Sequence, residues 1–538
     1  MKNKLILLCL ALLTASVAFA QEGSKGYVVG SFESNSIVYA EDEVTNAQRP
    51  DGNFATNNYL KADYYLGNFS AGVQLEAYQP ALIGYPSNLE GARLTNYYMQ
   101  WSDGDFDVTA GTFYDQFGSG LLFRTYEDRT LGVNTAMMGA RVAYRYKNIA
   151  SLKALWGAPR LGMEPSDRCL VRGVDGSLSL SSLAGLDGMN LAVEGSLLNR
   201  YEPISSGAEE SGASASSIGW SGRVNFEKGG FIARAEWVDG GDKIYQNPNF
   251  TVDGKEKLVK HANAQLLELS YSGGGLGVSF TGRRMEWMES KVEYNSAETN
   301  NALNYLPALC AQYSYAITNL NPYIPQPGTT VGGHINSGEI GGQLDVYSNF
   351  KRGTALGGKR GMKVNLNFST YYNLAEEGSW KPKTLLWRNL NVGVEKQISR
   401  KFKMQLLYAM QEYNHSHGVG KGTWLSNMVV ADLLYKFTPT FSTRAELAYL
   451  TTFEDQQDWM SALVEVNFAP SWSIFVSDML NHGSTGIHYY NAGFSYTAGR
   501  TRVALSYGRN REGMVCSGGV CRLMPAFTGG NLTVSTSF

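Results

Sequence analysis

From Lys25 onward, apolar and polar residues alternate with a period of two, run after run, with turn residues between the runs. Val364, Leu366 and Phe368 fall on one face, and Asn365, Asn367 and Ser369 on the other. Phe231, Ala233, Ala235 and Trp237 oppose Ile232, Arg234 and Glu236; Ala462, Val464, Val466 and Phe468 oppose Ser461, Leu463, Glu465 and Asn467. Successive side chains of an extended strand point to opposite faces, so each run has one apolar face and one richer in charges and amides. A soluble sandwich alternates too; the connections discriminate. Tight ones such as Gly67-Asn68, Asp103-Gly104, Lys147-Asn148, Lys228-Gly229 and Gly499 take turns with long polar stretches at 41–56, 115–134, 201–215, 239–258 and 414–423. Short turns on one side and long loops on the other mark a transmembrane barrel.

Walking the chain with that rule yields about 24 strands, with 22 to 26 allowed by uncertain boundaries. The first lies near 26–39 and the last near 522–538. An even number returns both ends to the short-turn side, provided that 351–361 is a rather long turn there. A soluble chain of 538 residues would divide into roughly three or four domains. Here 60 Gly, 32 Tyr and only 17% charged residues suit many turns, aromatic belts and strands half turned to lipid. No apolar run long enough for a membrane helix follows the first 20 residues, and lipid tolerates only helices and closed barrels. The expected fold class is all-β: a single large antiparallel transmembrane β-barrel with an irregular luminal or capping segment. Lys+Arg (46) and Asp+Glu (48) nearly cancel, which excludes a basic nucleic-acid binder.

The ends set the expected compartment. Lys2 and Lys4 precede an apolar stretch at 5–17, and Ala18-Phe19-Ala20 fits a signal-peptidase site, so cleavage is expected before Gln21. That divides the chain into a signal peptide at 1–20 and a barrel at 21–538. Cys9 follows Leu8 rather than a small residue, which disfavours a lipoprotein signal. Leu532, Val534, Thr536 and Phe538 share the outward face of the last run. A terminal Phe538 resembles the signal read by the outer-membrane assembly machinery, although Thr536 stands where an aromatic is often found. The expected surroundings are the lipid of a Gram-negative outer membrane. Cys516 and Cys521 flank Ser-Gly-Gly-Val, and an exported chain could close this loop with a disulfide or leave two thiols.

Two segments break the pattern. In 113–129, Asp115, Arg124, Glu127, Asp128 and Arg129 crowd together, while Gly118 and Gly120 permit sharp bends. The segment is either a luminal loop forming a selective constriction or, the favoured reading, an outside loop held by Arg–carboxylate pairs. The segment 291–337 collects Tyr305, Pro307, Tyr313, Tyr315, Pro322, Tyr323, Pro325 and Pro327. Proline removes ladder donors, and so long a connection needs a reason. Wide barrels tend to be plugged, so an inward or capping position is favoured over a plain surface loop. Strand-borne Tyr97, Tyr98, Trp101, Tyr371, Tyr372, Tyr489 and Tyr490 are read as interface belts.

These segments carry a resemblance. FYDQFGSGLLFRTYEDRTLG, followed by Gly139-Ala140-Arg141-Val142, looks like one signature of an uncharacterised outer-membrane barrel family of the Bacteroidota. NYLPAL (304–309), NPYIPQP (321–327) and GEIGGQLDVY (338–347) are similar to its second signature. The resemblance implies fold and location and carries no activity.

No nucleophile–base pair, Gly-x-Ser-x-Gly or zinc spacing stands out, so no catalytic residue, metal or cofactor is expected. His415 and His417 would need a third converging ligand to hold a metal. The first functional expectation is a partly occluded channel for small solutes. The alternative is a non-channel barrel subunit of an envelope secretion or protein-assembly complex, with an envelope protein as partner.

Overall fold

A computed structural model describes residues 26–538 except 46, 48, 205–212, 247–256, 295–300, 332–333 and 421, so the signal segment at 1–20 lies outside the described residues. Twenty-four antiparallel strands form one closed barrel. They are Tyr27–Ala40, Phe54–Leu66, Phe69–Tyr78, Gly91–Ser102, Phe106–Phe113, Met137–Tyr146, Ala150–Leu161, Leu170–Ser179, Asn190–Tyr201, Ser216–Lys228, Phe231–Gln246, Lys257–Gly273, Leu276–Glu286, Gly338–Phe350, Met362–Leu374, Pro382–Gln397, Phe402–Tyr413, Trp424–Lys436, Phe441–Thr452, Trp459–Phe468, Trp472–Asn481, His488–Ala498, Thr501–Asn510 and Phe527–Ser537. Each pairs with its neighbour in sequence. The last closes on the first, with Ser31 opposite Ser537 and Ala40 opposite Thr528.

Connections alternate in length, apart from the one at 180–189, which carries a helical turn at Leu180–Ala184 on the short-turn side. Two-residue turns such as Gly229-Gly230, both at positive φ (58° and 83°), join strands at one end. The 351–361 connection lies at that same end. Long loops emerge at the other end, and both described termini lie on the short-turn side.

The two faces of the wall separate cleanly. Leu447 is 56% exposed on the outside while its neighbour Glu446, facing in, is 7% exposed. Val464, Trp237, Ile474, Val476 and Leu505 share the exposed outer surface. An apolar exterior on a closed barrel leaves no backbone group unpaired towards lipid, which makes this a membrane-spanning fold.

Two expectations need correction. The final strand begins at Phe527 rather than near 522, because Val520–Met524 pairs with Gly513–Ser517 in a separate ribbon, and Pro525 has no N–H to continue the ladder. The Tyr-Tyr pairs are not all interface belts. Adjacent residues in a strand point to opposite faces, so Tyr490 lies outside while Tyr489 stacks on Trp459 inside. Tyr371 is fully buried in the lumen, and Tyr98 donates to Asp63 at 2.9 Å.

Candidate functional site in the lumen

The inner wall begins with a ladder of charge. Asp107 accepts from Arg141 at 2.6 Å, and Arg141 also bonds Asp115 at 2.6 Å. Asp115 accepts from Lys153 at 2.5 Å, and Lys153 lies 3.8 Å from Asp175. Asp175 pairs with Arg223, which holds Glu194 at 2.7 Å and approaches Glu236 at 3.8 Å. Each member except Asp115 sits on a different strand, at an inward position of the alternation. Higher in the wall, Arg160 grips Glu76 with two bonds of 2.7 Å, and both are almost wholly buried. Thr95, Gln74 and Tyr78 also donate to Glu76, so the carboxylate's acceptor capacity is used.

Two long connections fold into this lumen. The 114–136 connection buries Phe117, Leu121, Leu122 and Phe123 against inward residues such as Met137, Val171 and Val238. Gly118 (φ 53°) and Gly120 (φ 92°) take left-handed turns, and a Cβ on Gly118 would collide with Glu236 and Arg223. The favoured outside placement of this segment is therefore corrected: its apolar residues drive it inward, and most of its charges meet the wall. Asp115 belongs to the ladder. Glu127 accepts from Gln74 at 2.9 Å and from Arg129 at 3.2 Å. Arg129 reaches Glu33 at 2.8 Å and lies over the Tyr59 ring. Asp128 accepts from the Leu131 amide within its own loop. Arg124 meets no carboxylate among the described residues; its guanidinium lies 3.8 Å over Tyr305 and 4.8 Å over Tyr126.

The described residues of the 287–337 connection form the larger plug. Its short 3₁₀ turn at Ala316–Asn319 buries Ile317 against Leu407, Ala409, Met428, Val430, Ala448 and Leu450, reaching mid-strand depth in the wall. The two loops brace each other: Leu303 O accepts from the Arg124 amide, Gly120 O from the Tyr305 amide, and Leu121 O from Asn304. Pro307 O accepts from Arg283 at 2.8 Å. Tyr323 stacks between Tyr371 and Trp387 and donates to Glu339, which also accepts from the Gln326 amide at 2.7 Å and pairs with Arg283 at 2.8 Å. Burial and the Glu339 carboxylate push the Tyr323 phenol above its ordinary range, so it remains a donor. Pro325 sits half-buried beside this anchor, and Pro327 O accepts from the Met288 amide.

A third loop packs against the plug. Cys516 and Cys521 are joined by a disulfide across the ribbon 513–524. The ribbon's tip docks on the plug: Gly518 O accepts from the Tyr305 hydroxyl, and Gly519 O from the Ala308 amide at 2.8 Å. Phe538 lies at the opposite end, its backbone exchanging two 2.9 Å bonds with Gly30. His415 stacks on Trp424 and His417 meets Tyr413 edge-on. No group of three metal-ligating side chains occurs among the described residues.

Beyond the candidates read from the sequence, the Arg160–Glu76 pair, the Arg283–Glu339 anchor and the ladder through Arg223 went unseen. Alternation gives Glu76, Arg223, Arg283 and Glu339 an inward register but not Arg160, which shares the parity of the exposed Trp156, and it supplies none of their partners.

These features define a transmembrane β-barrel whose lumen is occupied by its own loops. The chain belongs to a family of unknown function (DUF6029), whose model matches residues 1–538. No curated protein matches it. Among solved structures it is similar to the translocation pore of the P pilus usher PapC, at a TM-score of 0.38 and 10% identity over 95% of this chain and 99% of that one. The siderophore receptor PirA from Pseudomonas aeruginosa scores 0.42 at 10% identity, over 96% and 82% of the two chains. The outer membrane protein opdK from the same organism scores 0.37 at 10% identity, over 76% and 98%. Scores this low carry no argument about activity.

Proposed function

We propose that this chain is an outer-membrane barrel of a Gram-negative, Bacteroidota-type cell, exported with its signal removed, that acts as a partly occluded channel for small solutes. No catalytic step is part of this reading. The observation that carries it is a hydrophilic inner wall under an incomplete filling. The inward loops leave cavities of mixed polar and apolar lining, about 360, 320 and 260 Å³, along the wall. The first two are lined by charges that include Glu194, Arg223, Glu127 and Arg141. A wide barrel with charged walls favours water and polar solutes, and the plug sets how much of the bore is available.

Planar-bilayer recordings test this. Small or intermittent conductance is expected from the full chain, and a larger, steady conductance after deletion of 291–337. Silence from both would count heavily against a channel. Purification in mild detergent with a stoichiometric envelope protein would favour the alternative, a barrel subunit of a secretion or assembly complex.

A further inference from the structure

We propose that the cavity between the plug and the wall around Asn391 and Gln411 binds a neutral polyhydroxylated solute, a saccharide. The cavity, about 260 Å³, differs in kind from the other two: no charged side chain lines it. The wall contributes the amides of Asn389, Asn391 and Gln411, and the plug those of Gln312 and Asn319. Tyr323 and Trp387 supply aromatic surface at one side, and the disulfide ribbon closes another through Val515 and Cys516.

The hydrogen-bond accounting selects the ligand class. Asn391 spends its NH₂ on Asn367 and Asn389, Gln411 on the carbonyl of Asn321, and Asn319 on the carbonyl of Tyr313. Among the described residues no donor reaches the side-chain oxygens of Asn391, Gln411 or Asn319. Each is an acceptor with spare capacity beside a cavity. An anion would find no cation here and a cation no carboxylate. A hydrocarbon would leave the amides desolvated and unpaired, at a cost. A neutral ligand with several hydroxyl donors matches the free oxygens, with Tyr323 and Trp387, already stacked on one another, bounding the cavity at one side. The Trp387 indole N–H is already given to Ser369 at 3.2 Å, so its ring serves as surface rather than donor.

The assignment rests on the lumen being a solute path, and its test is separate from conductance, so either can fail alone. The full chain, folded in detergent, is titrated with maltose, with glucose 6-phosphate and with glucosamine, following tryptophan fluorescence and heat. Maltose should bind saturably, and the two charged sugars more weakly. Asn391→Leu should weaken maltose about five- to tenfold, the effect of losing one neutral hydrogen bond. Gln312→Ala, at an exposed plug position that makes no hydrogen bond or ion pair among the described residues, should weaken it while leaving the melting profile unchanged. Absence of saturable maltose binding, equal binding of the charged sugars, or unchanged affinity in Gln312→Ala and a folded Asn391→Leu would each overturn the proposal.

Discussion

The Tyr323 hydroxyl donates to the Glu339 carboxylate, tying the plug to the first turn of ladder in the strand that follows it. Glu339 is also the sole carboxylate within ion-pair distance of Arg283 among the described residues, and both are essentially unexposed. One side chain thus holds the plug in place and neutralises a buried guanidinium.

Glu339→Ala should therefore act twice. It strands Arg283 without its partner, which costs about 3–5 kcal/mol for a buried pair, and it frees Tyr323. Tyr323→Phe removes only one bond and should cost about 1–3 kcal/mol. Denaturant midpoints after folding into vesicles measure both. Cys310 reports the local effect: burial pushes its thiol up to about 12, so at pH 8 very little thiolate exists. Maleimide labelling of Cys310 should be slow in the native chain and distinctly faster in Glu339→Ala.

The facing of the wall is tested in the strand Trp459–Phe468. Val464 is 44% exposed on the lipid side, near mid-strand. Val464→Arg should destabilise by about 2–4 kcal/mol near the bilayer midplane, and Val466→Arg, closer to the turn, by less. Glu465→Gln, facing the lumen beside Asn467, should cost far less than either. Equal costs in a folding titration would contradict the assignment.

The disulfide between Cys516 and Cys521 constrains a small ribbon rather than the barrel. Replacing both by Ser should lower the ribbon's local stability by about 2 kcal/mol on loop-entropy grounds. Hydrogen exchange should rise across 513–524 and at Ala308, whose amide bonds Gly519, while the barrel's melting temperature stays put.

Asp42 predicts a pH response outside the membrane. Partial burial alone would raise its pKa, but hydrogen bonds from Arg509 and Thr528, with the Arg509 charge, outweigh this and hold it below the ordinary 3.8. A depressed carboxyl contributes stability above its unfolded value and loses it as pH falls through the folded one. The bonds that tie Asp42 to Arg509 and Thr528 should thus persist down to about pH 4 and fail only below it. Hydrogen exchange around Asp42 against pH measures this, and Asp42→Asn should remove the dependence.

Much of the barrel was legible without coordinates. Alternation in runs such as Ala462–Phe468 assigns each residue a face, because a pleated strand offers only two. Alternating turn and loop lengths then force an even, closed count, because lipid leaves no backbone group unpaired. The same local rule reads the Tyr489-Tyr490 pair correctly only when each residue is given its own face.

The contents of the lumen were decided elsewhere. Pro and Tyr marked 291–337 as irregular, but its place inside comes from Ile317 meeting Leu407 and Val430, and from Tyr323 meeting Glu339. Arg160 finds Glu76 across 84 residues, and Tyr305 finds Gly518 across 213. Strand facing is a local property, repeated by every peptide unit. A loop's position is the sum of many distant contacts, each worth only about a kcal/mol, and no sequence window contains both partners.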